Sequence, residues 1–310
     1  MLKATLIAAL LMGQTAPELP EPAVPIAPRD GRTADLLRCV SDADLVLTSG
    51  HRGGPAPGYP ENALETAAHT LSQGPMLIEM DVRTTRDGVL VMMHDDTLDR
   101  TTTGEGAVSD HTWAELQDLR LVDNEGNESD FRIPRLVDVI AWMRGRGVLA
   151  IDLKEDASIP AVARAVAEAD AHAFTMVSTY RPAQAMLVHR SDPRITITHP
   201  VNIPEDLEVL RRVGVNMEVL TAWAGLEGYD ARAPQLWAEL DRQGIPVLFA
   251  TLFFGDRDME ATGDYGLFEE LAAQGVDIIP TDLHMEAFRT VTAPRDPASV
   301  LARCTAGRPN

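Results

Sequence analysis

Lysine is almost missing from this 310-residue chain: of 27 basic residues only Lys3 and Lys154 are lysines, and the rest are arginine. Positive charge of any kind is scarce, with a formal net charge of −20 at pH 7. That balance excludes a nucleic-acid partner, because a phosphate backbone needs a basic stripe and none is visible. The same acidity repels an anionic substrate mildly, so a site for one must create its positive potential locally. Cysteine is limited to Cys39 and Cys304. The apolar run at 4–12 is too short to span a bilayer. Behind the single cation Lys3 it reads as a cleaved secretory signal over 1–16, with the cut after Ala16 although Gln14 stands where a small residue is preferred. An apolar tail left in place is the alternative. No cysteine follows the run to carry a lipid, so a periplasmic or secreted protein without a stable membrane anchor is expected.

Residues 17–32 (PELPEPAVPIAPRDGR) are rich in proline, and the segment 17–37 is expected to be an extended linker without a core. From 38 to 305 one pattern recurs: an apolar run, polar residues, a helical stretch, then a glycine and the next run. Gly74, Gly147, Gly214, Gly244 and Gly275 each stand just before such a run, where a left-handed residue closes a helix. The pattern predicts strands at 44–48, 77–82, 148–153, 175–178, 195–198, 215–219, 247–251 and 277–280. Helical stretches at 136–144, 161–169 and 237–243 lie between them. Eight such units imply an α/β fold of the TIM (β/α)8 barrel type. A doubly wound open sheet is the alternative, unsupported because no G-x-G-x-x-G follows the first strand. Asp87-Gly88 predicts a tight hairpin turn. The polar piece 95–133 then reads as an insertion after the second strand, folded over the carboxyl-terminal mouth of the barrel. Barrel closure brings the first and last units together, so Cys39 and Cys304 are expected to form a disulfide; two buried free thiols are the alternative.

The residues that carry chemistry sit where apolar runs end. Glu79 and Asp81 are two apart on one strand and so point the same way, as do Asp152 and Lys154 after the third. Each pair alone reads as a solvated strand end. Three carboxylates converging on one mouth repel strongly unless a cation lies between them, and oxygen-only ligands suit Ca²⁺ or Mg²⁺ rather than zinc. His51 and His94 can supply the base and the acid that cleavage of a phosphodiester needs. The other six histidines, at 69, 111, 172, 189, 199 and 284, are expected to be structural. Arg52 offers a planar fork to phosphate oxygens, with a glycine pair behind it giving room for close approach. In a chain that otherwise uses arginine, Lys154 at a strand end argues that a compact ammonium is required there.

Together these residues resemble the glycerophosphodiester phosphodiesterase family over roughly 44–290. The resemblance rests on His-Arg-Gly at 51–53, Pro-Glu-Asn at 60–62, Glu79-x-Asp81, Asp87-Gly88, His94-Asp95, Leu98-x-Arg100-Thr-Thr, Asp-Leu-Lys at 152–154 and GVDIIPTD at 275–282. It implies a metal-dependent barrel that hydrolyses glycerophosphodiesters to sn-glycerol 3-phosphate and an alcohol. Within it His51 and His94 form the acid–base pair, Glu79, Asp81 and Asp152 bind a divalent metal, and Arg52 and Lys154 hold the phosphate. Three positions depart from the family's pattern. Asp152 replaces a glutamate, so its shorter arm draws the metal inward or leaves a ligand position to water. Ala250-Thr251 replaces Trp-Thr, with Phe249, Phe253 and Phe254 available as an apolar wall. Leu283-His284 stands where a proline is usual. A phosphodiesterase acting on intact lipids, a Schiff-base aldolase using Lys154, and a non-catalytic binding barrel are the competing readings.

Overall fold

The computed structural model describes residues 19–28, 30–224, 232–252 and 255–306. The expected signal at 1–16 lies outside them, as do Phe253 and Phe254. Among the described residues no helix is long and apolar enough to cross a membrane.

Eleven strands can be followed: β1 (Leu47–Gly50), β2 (Leu77–Thr84), β3 (Leu90–Met92), β4 (Arg120–Val122), β5 (Glu128–Arg132), β6 (Val148–Leu153), β7 (Thr175–Ser178), β8 (Thr196–Pro200), β9 (Leu220–Trp223), β10 (Val247–Leu248) and β11 (Ile278–Thr281). Eight of them run parallel in the order β1-β11-β10-β9-β8-β7-β6-β2, and β1 pairs with β2 to close the ring. This is the expected TIM barrel. Side chains alternate along each strand. Leu77 and Val148 point into the barrel while Ile78 and Leu149 meet the surrounding helices, which places Glu79, Asp81 and Asp152 on the inner face further along. Neighbouring register puts Asp81 beside Asp152, because β2 and β6 pair at that level.

Three strand positions differ from the sequence reading. The first strand starts at Leu47 rather than 44, because Asp44 takes a left-handed conformation (φ 54°) and its N–H returns to Ser41, closing the preceding helix. The sixth strand is Leu220–Trp223, not 215–219. Asn216 accepts the Glu218 N–H at 3.0 Å and folds Met217–Val219 into a tight helical turn, so alternation that mimics a strand is spent on a cap. The seventh strand is only Val247–Leu248, although Phe249 and Thr251 still donate to β11 at 3.0 and 3.1 Å.

The linker expected over 17–37 is also contradicted. Ile26 is fully buried beneath the barrel, its N–H on the Arg146 carbonyl at 3.1 Å, and the helix Thr33–Ser41 begins inside the segment. Proline density predicts the extended backbone but not the slot that one apolar residue finds between prolines. The helices Thr33–Ser41 and Pro297–Thr305 pack on each other at the amino-terminal end of the barrel, where Leu36, Leu37, Val40, Val300 and Leu301 fill the floor. Cys39 and Cys304 join these helices in a disulfide with Cα atoms 5.6 Å apart.

The expected hairpin is present: β3 runs antiparallel to β2 around Gly88 (φ 82°). The insertion that follows has a small core of its own, with Leu98, Val108, Leu116, Leu121 and Ile133 against Ala63, Val91 and Met93. Its hairpin β4–β5 turns at Asp123, whose carboxylate accepts N–H groups from Gly58, Glu125 and Asn127 at 2.8–3.0 Å. That contact ties the insertion to the loop after β1.

Candidate active site

At the carboxyl-terminal mouth, Glu79, Asp81 and Asp152 each offer an oxygen within 4.8 Å of the others. Their environments differ. Lys154 Nζ lies 2.6 Å from Asp81 and 2.7 Å from Asp152, so one ammonium bridges two acids. Burial pushes the Asp81 carboxyl up, but Lys154, with the Asn62 bond and the His94 charge, holds the group below its ordinary value. Lys154 is likewise held above its own, the two aspartates outweighing its burial. Glu79 has no such cation: burial and the neighbouring Asp81 charge push its carboxyl up to about 8. An oxygen-only triad with one member short of counter-charge fits a hard divalent cation.

Supporting bonds fix each carboxylate. Asn62 donates to Asp81 at 2.7 Å and accepts that residue's N–H at 2.9 Å. The Tyr180 hydroxyl donates to Asp152 at 2.5 Å. Arg52 N–H donates to Glu79 at 2.7 Å. That bond requires Arg52 to adopt a left-handed backbone (φ 52°), followed by Gly53 and Gly54 in the same region. The room left by Gly54 is filled by Thr70 and the His284 ring, which a Cβ would strike.

Both expected acid–base histidines line the mouth, each with Nδ1 on a carboxylate: His51 on Asp282 at 2.8 Å and His94 on Asp95 at 2.7 Å. An ionised carboxylate only accepts, so Nδ1 carries the proton and Nε2 is the basic nitrogen. For His51 burial pulls the pKa down, but the Asp282 bond and the Glu79 charge raise it above its ordinary value. The Arg52 guanidinium donates through Nη1 to Glu61 at 3.2 Å, while its buried Nε lies 3.9 Å from Asp81 and has no hydrogen-bond partner.

All seven residues singled out from the sequence therefore meet at one mouth. Of the others, His69 stacks on Tyr59 at 4.0 Å, His172 bonds Asp192 at 2.9 Å and His199 bonds Thr179 at 2.8 Å, all structural roles. The sequence reading assigned no role to Asn62, Asp95, Asp282, Tyr180 or Trp223. Asp95 and Asp282 follow the same rule as the ligands, a carboxylate just past an apolar run, and could have been found by it. Tyr180 and Trp223, which line the mouth with rings 5.7 Å apart, carry no such signal. A second cluster, Glu61, His94 and Asp95, also has oxygen and nitrogen atoms within 4.8 Å. Arg100 sits between its two carboxylates, so it is a charge network rather than a metal site.

Comparison with known proteins gives one answer. The sequence model of the glycerophosphoryl diester phosphodiesterase family matches residues 51–248. Mouse glycerophosphodiester phosphodiesterase 1 is 33% identical over 131 residues, 41% of this chain and 39% of its own length. A Bacillus subtilis glycerophosphodiester phosphodiesterase is 44% identical over 77 residues, 24% of this chain and 26% of its own. The chain thus matches well under half the length of these curated relatives. Over the whole fold, a glycerophosphoryl diester phosphodiesterase from Parabacteroides distasonis superimposes with a TM-score of 0.77 at 32% identity, covering 86% of this chain and 94% of that one. An Oleispira antarctica phosphodiesterase, solved with the product sn-glycerol-3-phosphate, shares the fold at 23% identity and a TM-score of 0.59, covering 80% and 98%.

Proposed function

Because the chain belongs to the glycerophosphoryl diester phosphodiesterase family, we propose that it hydrolyses glycerophosphodiesters to sn-glycerol 3-phosphate and an alcohol with the help of a divalent cation. The observation that carries this reading is the mouth itself: a three-carboxylate ligand set flanked by two histidines, each oriented by its own carboxylate. Glu79, Asp81 and Asp152 would hold Ca²⁺ or Mg²⁺, which neutralises charge on phosphoryl oxygens when bound. Arg52 offers to a phosphate oxygen its Nε, which makes no hydrogen bond within the protein. Lys154 has three N–H donors, of which Asp81 and Asp152 engage two, and the third is available to the substrate. Of His51 and His94, one takes a proton of the attacking water at Nε2 as the water oxygen bonds to phosphorus. The other, protonated, gives its Nε2 proton to the departing alkoxide as the ester bond breaks. The carboxylate on each Nδ1 stabilises the imidazolium form. The proton count closes over the turnover, with one histidine ending protonated and the other neutral until they exchange with solvent.

Lys154 argues against a Schiff-base mechanism, since two carboxylates hold its ammonium above the ordinary value and a nucleophilic lysine needs the reverse. Export to the periplasm or beyond belongs to the same proposal, and the Cys39–Cys304 bond supports it because disulfides persist in oxidising compartments. The test is release of glycerol 3-phosphate from a panel of soluble glycerophosphodiesters and of micellar phospholipids, with and without chelator. Turnover of the soluble diesters that stops on chelation is expected. Full activity after exhaustive chelation, or cleavage of the micellar substrates alone, refutes it.

A further inference from the structure

Arg100 lies in the insertion, outside every strand of the barrel, yet it is bound to a catalytic histidine's partner. Its Nε and Nη2 donate to the two oxygens of Asp95 at 2.7 and 2.9 Å. Its Nη1 and Nη2 also donate to the two oxygens of Glu61 at 2.9 and 2.8 Å. Asp95 is the carboxylate that holds His94 Nδ1. Glu61 is only 4% exposed and has Arg52 on its other side, so it is an immobile anchor whose charge is met by two guanidiniums. A planar fork that grips one fixed carboxylate cannot swing, and the second carboxylate it grips cannot rotate either.

We propose that Arg100 is a positioning residue for His94: anchored on Glu61, it locks the Asp95 carboxylate so that the ring keeps its proton on Nδ1 and presents Nε2 to the mouth. The assignment rests on the reading of His94 as a proton-transfer group. Asp95 needs such a lock because it is partly open to water. Released, its carboxylate can turn to solvent, and the ring can revert to the Nε2–H tautomer that free imidazole prefers. That tautomer cannot accept a proton at the mouth. In accord with this clamp, the Asp95 carboxyl is held well below the usual range, the Arg100 bond being the largest cause. Lysine cannot substitute, because one ammonium cannot present two forks to two carboxylates.

The test compares Arg100→Gln and Arg100→Lys with the parent in the full chain. Ring ¹⁵N spectra of His94 should show Nδ1–H in the parent and a mixture of tautomers in both variants. With metal present, kcat should fall about 10–100-fold, less than the loss of the histidine itself, while KM moves less than about threefold. In a His94→Ala background, Arg100→Gln should change the residual rate less than about twofold, since the group it positions is gone. An unchanged His94 tautomer, or the same fold-loss in the His94→Ala background as in the parent, overturns the proposal. Should the Arg100 variants fail to fold, Asp95→Asn leaves the Arg100–Glu61 clamp in place and must reproduce the tautomer and kcat signature; parent-like behaviour there overturns it too. If His94→Ala alone keeps full activity, the acid–base role of His94 fails, while the spectra still judge what Arg100 does to the ring.

Discussion

Replacing Lys154 with methionine removes the ammonium that stands 2.6 Å from Asp81 and 2.7 Å from Asp152. Those side chains are 1% and 6% exposed, so losing the ammonium leaves two largely buried carboxylates without their counter-charge. If both stay ionised, breaking such a buried pair costs about 3–5 kcal/mol. If one takes up a proton instead, the cost at pH 7 is about 1.4 kcal/mol for each unit above the ordinary value, about 4 kcal/mol in all. The two routes agree. At roughly 2–4 °C per kcal/mol for a domain near this size, the melting temperature should fall by about 8–16 °C. The sign with pH follows from the direction of the shift. Lys154 holds the folded Asp81 below its ordinary value, so the stabilisation is fully present above that value and is lost as pH falls through the folded one. That contribution is the same at pH 7 and pH 5; the gap between parent and variant narrows because the variant's proton-binding aspartate lies above its ordinary value and destabilises less as pH falls toward that value, to about 2 kcal/mol at pH 5 by the protonation route. The assay is thermal unfolding followed by circular dichroism in chelator, at pH 7 and pH 5. Adding back Ca²⁺ or Mg²⁺ should restore part of the loss, since a cation at the triad supplies the missing charge. Melting points within about 1 °C of each other in chelator at pH 7 would refute the reasoning.

His51→Ala and His94→Ala should each lower kcat by roughly two to four orders of magnitude with the melting temperature kept, as expected for general acid–base groups; a near-parental rate removes that histidine from the chemistry. Lys154→Arg should recover only part of the activity lost in Lys154→Met, because a wide planar guanidinium crowds the gap between Asp81 and Asp152; steady-state kinetics of the three proteins decide it. Cys39→Ser should lower stability by up to about 5 kcal/mol on the chain-entropy model for so long a loop, read as a drop in melting temperature, with kcat unchanged because the bond lies at the opposite end of the barrel from the mouth.

The barrel and the acidic triad at its mouth were legible because two periodicities coincide in the sequence. Apolar alternation marks the strands, and the polar residues that break it at Glu79, Asp81 and Asp152 fall on the inner face of the same pleat. What the sequence hid has a common cause: local side-chain chemistry outvoting pattern. Asn216 turns an apparent strand into a cap, and Asp44 postpones the first strand by adopting a left-handed backbone. Ile26 is one apolar residue with no period to announce it. The partners of His51 and Asp152 were hidden differently. Asp282 reaches His51 from 231 positions away and Tyr180 reaches Asp152 from 28, distances over which only the folded ring decides who meets whom.

The bond between Cys39 and Cys304 joins residues 265 positions apart. During synthesis its first thiol therefore emerges early and waits until nearly the whole barrel has followed. A chain stalled between the two keeps an unpaired Cys39, because Cys304 has not yet been made. Completion is in this way written into the redox state of the molecule: a thiol-reactive probe should label unfinished chains and pass over the finished, oxidised protein. The same pairing acts as a birth certificate, issued once, after the eighth strand has met the first.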